Sequence, residues 1–194
     1  MHVADMLDAV VPVVEQLQRL GVRYYVGGSV ASSAYGVARS TLDIDLVAEL
    51  APKHVAALIE ALQHDFYISG PMILRAIEKE SCFNVIHLPT ACKIDVFVAK
   101  KGDYDRAAMA RIRRDKIGDG NREIDVFLSS VEDIILNKLH WYKLGEEVSR
   151  RQWSDVIGVI KIQHDVLDRD YLKKWAAELT VSKLLERAFA ESQV

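Results

Sequence analysis

Two aspartates one residue apart, Asp43-Ile44-Asp45, follow a Gly27-Gly28-Ser29 turn in this chain. Residues i and i+2 of a strand point to the same face. Asp43 and Asp45 would therefore project together, while Leu42, Ile44 and Leu46 face the core. Two adjacent carboxylates repel unless a cation lies between them. Magnesium takes oxygen ligands and commonly binds one or two carboxylates together with substrate phosphates. A strand ending in Gly27-Gly28-Ser29 and running into a helix adds an anion site. Glycine allows close backbone approach, the helix N-terminus carries partial positive charge, and Ser29 offers a hydroxyl donor. The two features together place a metal-binding edge beside a triphosphate-binding edge.

A third acid would complete such a site. Asp95 sits mid-strand in Lys93-Ile94-Asp95-Val96-Phe97-Val98, and Asp125 has almost the same context in Glu123-Ile124-Asp125-Val126-Phe127-Leu128. Asp95 is favoured because its strand follows a hairpin expected beside the strand of Asp43 and Asp45. In two-metal chemistry this acid would help activate an attacking hydroxyl by lowering its pKa. Acids facing outward from an alternating strand are also what any half-exposed strand shows. The conjunction with the glycine turn, the short helix and the third strand-borne acid carries the functional reading.

The elements that must position these residues follow from periodicity. Apolar positions at Met6, Val10, Val13, Val14, Leu17 and Leu20 predict a helix over 6–20, stopped by Gly21. Strands are expected at 22–26 and 42–50, with a short helix at 30–35 and a turn at 38–41 between them. Pro52 opens a helix running to residue 62. Strands are expected at 83–88 and 93–99, joined at Pro89-Thr90, then a helix at 104–114 and a strand at 123–128. Four helices follow at 130–144, 152–163, 168–178 and 180–191, with Ser130, Asp168 and Thr180 as N-caps. The fold class is α+β: a mixed sheet flanked by helices over residues 1–129 and a helical C-terminal lobe over 130–194.

The chain has 194 residues, is 50% hydrophobic and 27% charged, and has a formal net charge of −3. That balance excludes a disordered chain and argues against a dedicated nucleic-acid coat. Asp5 and Asp8 precede the apolar stretch 9–14, and no apolar run spans a bilayer, so the expectation is a cytoplasmic protein with neither signal peptide nor membrane partner. Cys82 and Cys92 flank the expected hairpin as possible cross-strand neighbours and are read as reduced core thiols.

The pattern Gly27-Gly28-Ser29 with Thr41-Leu42-Asp43-Ile44-Asp45-Leu46 resembles the minimal nucleotidyltransferase superfamily, of DNA polymerase β type. With Tyr35-Gly36 and Arg39, the segment 27–46 looks most like AbiEii-type and related bacterial nucleotidyltransferases. Glu132-Asp133-Ile134-Ile135-Leu136-Asn137-Lys138-Leu139 resembles that family's Glu-Asp…Lys-Leu helix, and Asp155 fits the aspartate that follows it. The resemblance implies transfer of a nucleoside monophosphate from an NTP, ATP among them, with Mg²⁺ (or Mn²⁺) required. Asp43, Asp45 and Asp95 would hold metal, and Gly27, Gly28 and Ser29 the phosphates. Lys138 would be a point charge near the triphosphate, with an ordinary solvent-facing lysine as an equal alternative. Asp155 would position Lys138 or the substrate, although a surface acid is slightly favoured. Arg39 would reach the phosphates or cap the helix at 30–35. The acceptor would be tRNA or another RNA, a protein or a small molecule. A toxin role with a cognate antitoxin is one biological output, and a non-catalytic nucleotide- or partner-binding module is the alternative.

The basic patch at Arg111, Arg113, Arg114 and Lys116 would suit an RNA acceptor, although a charged helix face is the commoner explanation. Tyr24, Tyr25 and Tyr35 are read as core or rim residues, and His140 beside Trp141 as a partly buried helix histidine.

Overall fold

A computed structural model describes residues 3–36, 43–118 and 122–193. Helix α1 (Val3–Arg19) leads into strand β1 (Tyr24–Val26), helix α2 (Gly28–Tyr35) and strand β2 (Asp43–Ala48). A 3-10 turn at Pro52–His54 opens helix α3 (Val55–Leu62), followed by β3 (Phe66–Tyr67), α4 (Gly70–Glu78), β4 (Cys82–His87) and β5 (Cys92–Val98). Then come α5 (Asp103–Ala110), β6 (Arg113–Gly118), β7 (Glu123–Leu128) and helices α6 (Val131–Leu144), α7 (Arg150–Gln163), α8 (Arg169–Glu178) and α9 (Ser182–Ser192). Among the described residues the strands form one seven-stranded sheet in the order β3-β4-β5-β2-β1-β7-β6. It is mixed: β2 runs parallel to β5 and β1 to β7, while the other pairs are antiparallel. The expected α+β architecture is therefore the observed one.

One face of the central strands is apolar. Ile44, Leu46, Ile94 and Val96 are buried, in one continuous core with Leu7, Val10, Val13, Val14 and Leu17 of α1. At about 25 cal/mol per Å² of apolar surface, this burial is the main force holding α1 to the sheet. The same core runs on into the C-terminal helices through Ile135, Leu136, Leu139, Val159 and Ile160.

Several expectations are corrected. The helix expected at 104–114 ends at Ala110, and Arg113–Gly118 is strand β6, paired antiparallel with β7. β6 is an edge strand on which only Ile117 is buried, so it carries little apolar alternation; charge on an edge strand discourages pairing with other chains. Strand β3 and helix α4 fill the stretch between α3 and β4, for which no element was expected. Ser130 and Asp168 do cap their helices, accepting from the N–H groups of Asp133 and Tyr171. Thr180 does not: it has a φ of +57° just after α8, and α9 starts from Val181 with no side-chain cap. Cys82 and Cys92 are free thiols, but they lie at opposite ends of the β4–β5 ladder, facing Phe97 and His87 respectively, and Cys82 is exposed rather than core. Among the described residues no helix is long and apolar enough to cross a membrane.

The Glu132-Asp133 pair opens α6 and is buried. Asp133 accepts from Ser130 Oγ at 2.6 Å and Tyr171 Oη at 2.8 Å. Burial raises its pKa, and these hydrogen bonds partly offset that. Glu132 accepts from the Asp168 N–H at 3.0 Å and pairs with Arg111 at 3.0 Å. Burial pushes the Glu132 pKa up, but the N–H donors and Arg111 outweigh it and hold the carboxyl below its ordinary value. Arg111 also stacks over Tyr171, 4.1 Å from the ring centroid. The pair thus ties α6 to α8 and to the end of α5, a structural task. A lowered folded pKa means that Glu132 stabilises the fold above its unfolded pKa of about 4.3, and that this contribution is lost as pH falls through the lowered value. Arg111→Met should therefore cost about 2–3 kcal/mol in urea unfolding at pH 7 and flatten the loss of stability below pH ~4. A change below about 1 kcal/mol would show that solvent screens the pair.

Candidate active site

The sheet register assembles the site in rows. Asp45 of β2 lies opposite Asp95 of β5, and Asp95 lies opposite Asn84 of β4. One row toward the start of β2, Asp43 faces Lys93, which faces Ile86. One row the other way, Tyr25, Val47, Phe97 and Cys82 run across four strands. All these side chains share the face opposite the apolar core, since their neighbours Ile44, Leu46, Ile94 and Val96 point into it. Directly opposed residues have Cβ atoms about 5 Å apart. Asp43, Asp45 and Asp95 are therefore brought to one place. Asp125 is not: it is exposed on β7, two strands from β2, and pairs with Arg114 at 3.3 Å.

The charge in this place is uneven. Asp45 is half-buried, and its pKa is raised first by burial, then by Asp95 and Asp43, against the opposing pull of Lys138 and Lys93. Lys93 Nζ lies 2.9 Å from Asp95 Oδ2 and 3.8 Å from Asp43 Oδ1. Its hydrogen bond to Asp95 raises its own pKa. The second Asp95 oxygen, Oδ1, accepts from Asn84 Nδ2. Among the described residues no three His, Cys, Asp or Glu side chains close into a preformed metal cage. Magnesium does not need one, because it keeps waters and takes ligands from substrate phosphates. An acid cluster whose mutual repulsion is only partly relieved by a lysine fits a divalent cation.

Gly28 fixes the other wall. Its φ is +54°, and a Cβ built there would lie 1.7 Å from Asp45 Oδ2. Glycine is thus required twice, by backbone conformation and by the approach of the carboxylate. The Gly27 N–H donates to the Asp45 carbonyl at 2.9 Å, so it extends the β1–β2 ladder and is not directed at an anion. Gly28 and Ser29 form the N-terminus of α2, where first-turn amides point out along the helix axis. Arg39 lies outside the described residues.

Lys138 and Asp155 correct the reading of a solvent-facing lysine and a surface acid. Lys138 Nζ donates to Asp155 Oδ2 at 2.7 Å, with side chains only 9% and 8% exposed. The pair bridges α6 and α7, and the lysine charge reaches Asp45. One turn further along α6, Trp141 is 53% exposed, with its ring 6.3 Å from that of Phe97. His140 is half-buried, and Tyr24 and Tyr25 are buried with Tyr35 at the rim. The basic patch is largely neutralised: Arg111 pairs with Glu132 and Asp168, Arg114 with Asp125, and Lys116 with Glu123. A recess of ≈390 Å³ against β7, lined by Gln18, Arg114, Asp125, Val126 and Phe127, contains none of Asp43, Asp45 and Asp95.

Sequence reasoning missed Lys93 and Asn84. Lys93 was readable, since it stands two residues before Asp95 on the same face of the same strand. Asn84 was not, because only the β4–β5 register sets it against Asp95.

No family profile and no curated protein matches this sequence. Solved structures do match its fold. A solution structure of the antibiotic-resistance factor ANT(2'')-Ia aligns with a TM-score of 0.56 at 15% identity, covering 99% of this chain and 97% of that one. The crystal structure of ANT(2'')-Ia in complex with adenylyl-2''-tobramycin aligns with a TM-score of 0.56 at 13% identity, covering 90% and 97%. An antigenic nucleotidyltransferase-like protein from Paracoccidioides brasiliensis aligns with a TM-score of 0.54 at 17% identity, covering 96% and 91%. Over nearly its whole length, then, the chain has the nucleotidyltransferase fold.

Proposed function

We propose that this protein transfers a nucleoside monophosphate from an NTP to a hydroxyl of a small-molecule acceptor, releasing pyrophosphate. The observation that carries the reading is the register of β2 and β5, which sets Asp45 against Asp95 with Asp43 one row away, beside the Gly28–Ser29 helix start. Asp43, Asp45 and Asp95 would hold Mg²⁺, which when bound supplies charge neutralisation at the phosphates and a lowered pKa for the attacking hydroxyl. The sheet module, residues 1–129, carries the carboxylates and the phosphate-binding turn. The helical lobe, 130–194, supplies Lys138, oriented by Asp155, as a fixed charge beside Asp45.

In the reaction the acceptor oxygen forms a bond to the α-phosphorus, the bond from that phosphorus to the bridging oxygen of pyrophosphate breaks, and the hydroxyl proton leaves on the Asp95 side. Asn84 orients Asp95 through Oδ1. The phosphate elements lie on the β1 and α2 side of Asp45, so the acceptor approaches over β5 and β4, where Phe97 and the exposed Trp141 offer an apolar wall. A compact organic acceptor suits that wall. Three of the four cations of the basic patch have acid partners, which favours a small acceptor over RNA, and the neighbouring ANT(2'')-Ia structure holds adenylyl-2''-tobramycin. A toxin role with an antitoxin partner rests only on the AbiEii-type likeness of the sequence and is not needed here.

Mg²⁺–NTP should stabilise the wild-type protein by mass action, by about 2.7 kcal/mol at a hundredfold excess over Kd, or roughly 5–10 °C in Tm. Asp45→Asn should lose that shift. Absence of a shift with all four NTPs would sink the nucleotide-binding half of the proposal.

A further inference from the structure

Lys93 has no part in the reaction described above, yet among the described residues its ammonium pairs with two of the three acids. It rises from β5 between them, with Nζ 2.9 Å from Asp95 Oδ2 and 3.8 Å from Asp43 Oδ1. Its side chain is 42% exposed, so solvent is open to it if the ammonium leaves. Asp95 would keep its orientation in that event, because Asn84 holds the other oxygen. A divalent cation held by Asp43 and Asp95 would compete with the ammonium for these two carboxylates.

We propose that Lys93 is a built-in counter-ion that lies across Asp43 and Asp95 before metal arrives and must be displaced for a divalent cation to bind there. This inference rests on the reading of the acid cluster as a metal site. Physically, three carboxylates on one sheet face are costly without a positive charge. A tethered ammonium relieves that repulsion and lets the strands pair in register while the site is metal-free. The same ammonium weakens metal binding, since each carboxylate oxygen it holds must exchange one cation for another. Lysine suits the task better than arginine would in one respect: its ammonium is a compact point charge on a flexible stem, able to let go and turn to water or to a phosphate.

The test is a Mn²⁺ titration of the purified protein without nucleotide, read by the loss of the free-ion EPR signal. Lys93→Met and Lys93→Gln should each bind Mn²⁺ about fivefold more tightly than wild type, the scale of a partly exposed ion pair. Lys93→Arg, which keeps the charge, should show no gain in affinity over wild type. In buffer with EDTA the two neutral variants should melt below wild type, and Mn²⁺ should raise their Tm by more than it raises that of wild type. An affinity that is unchanged or weaker in both neutral variants overturns the proposal. Asp45→Asn separates this from the wider reading. If Asp45→Asn abolishes Mn²⁺ binding while Lys93→Met leaves it unchanged, the metal site stands and the counter-ion does not. If Asp45→Asn has no effect, or wild type binds no Mn²⁺, both fall.

Discussion

Gly28→Ala is expected to reduce nucleotidyl transfer by about a hundredfold or more, the scale of a small misplacement of a reacting group. It should also cost about 1–2 kcal/mol of stability, because a residue with a Cβ is strained in the left-handed region. The geometric cause is specific. At φ +54° the new methyl would lie 1.7 Å from Asp45 Oδ2 and 2.6 Å from its Cγ, so the carboxylate must leave its place opposite Asp95. Gly27→Ala is the matched control. Its Cβ would meet only the Tyr25 ring, at 3.7 Å, and its φ is −118°, outside the left-handed region. Transfer rates within a few-fold of wild type for Gly27→Ala, beside the large loss for Gly28→Ala, would tie the effect to Asp45. Equal losses in the two variants would instead point to the turn as a whole.

The second large effect concerns Lys138 and Asp155. Removing one member of a buried ion pair leaves an uncompensated charge, and replacing both with apolar groups of similar size can restore stability. Asp155→Asn should therefore cost about 3 kcal/mol in urea unfolding, and Lys138→Met with Asp155→Leu should regain most of it. The double variant should nonetheless stay deficient in transfer, because the fixed charge facing Asp45 is gone. A double variant that recovers stability and transfer together would reduce the pair to a structural link between α6 and α7.

These two sites also mark how far the sequence can be read. Strands β2 and β5 were legible because apolar and polar residues alternate cleanly along them, and the glycine turn before α2 is a local signal. The preference for Asp95 over Asp125 followed from guessing which strand neighbours β2, and the sheet order places β5 there and β7 two strands away. For Lys138 the sequence left two readings even, and for Asp155 it leaned to a surface acid, for a physical reason. Helix α6 is buried around most of its circumference, with Glu132, Asp133 and Lys138 all inside, so it has no clean polar face from which to tell a solvated lysine from a paired one. Its partner is supplied by α7, which no period within α6 reveals. Strand β6 was hidden by its own charges: Arg114 and Lys116 read as a helix face, whereas they pair across the ladder with Asp125 and Glu123.

The central claim is that Asp43, Asp45 and Asp95 form the catalytic centre of a nucleotidyl transfer. Its most direct test incubates the protein with Mg²⁺, each α-labelled NTP in turn, and a panel of hydroxyl-bearing small molecules, and follows label on the acceptor together with pyrophosphate release. Wild type should label an acceptor and release pyrophosphate in equal amounts, and Asp43→Asn with Asp45→Asn should do neither while remaining folded. Equal labelling by wild type and the double variant would contradict the account.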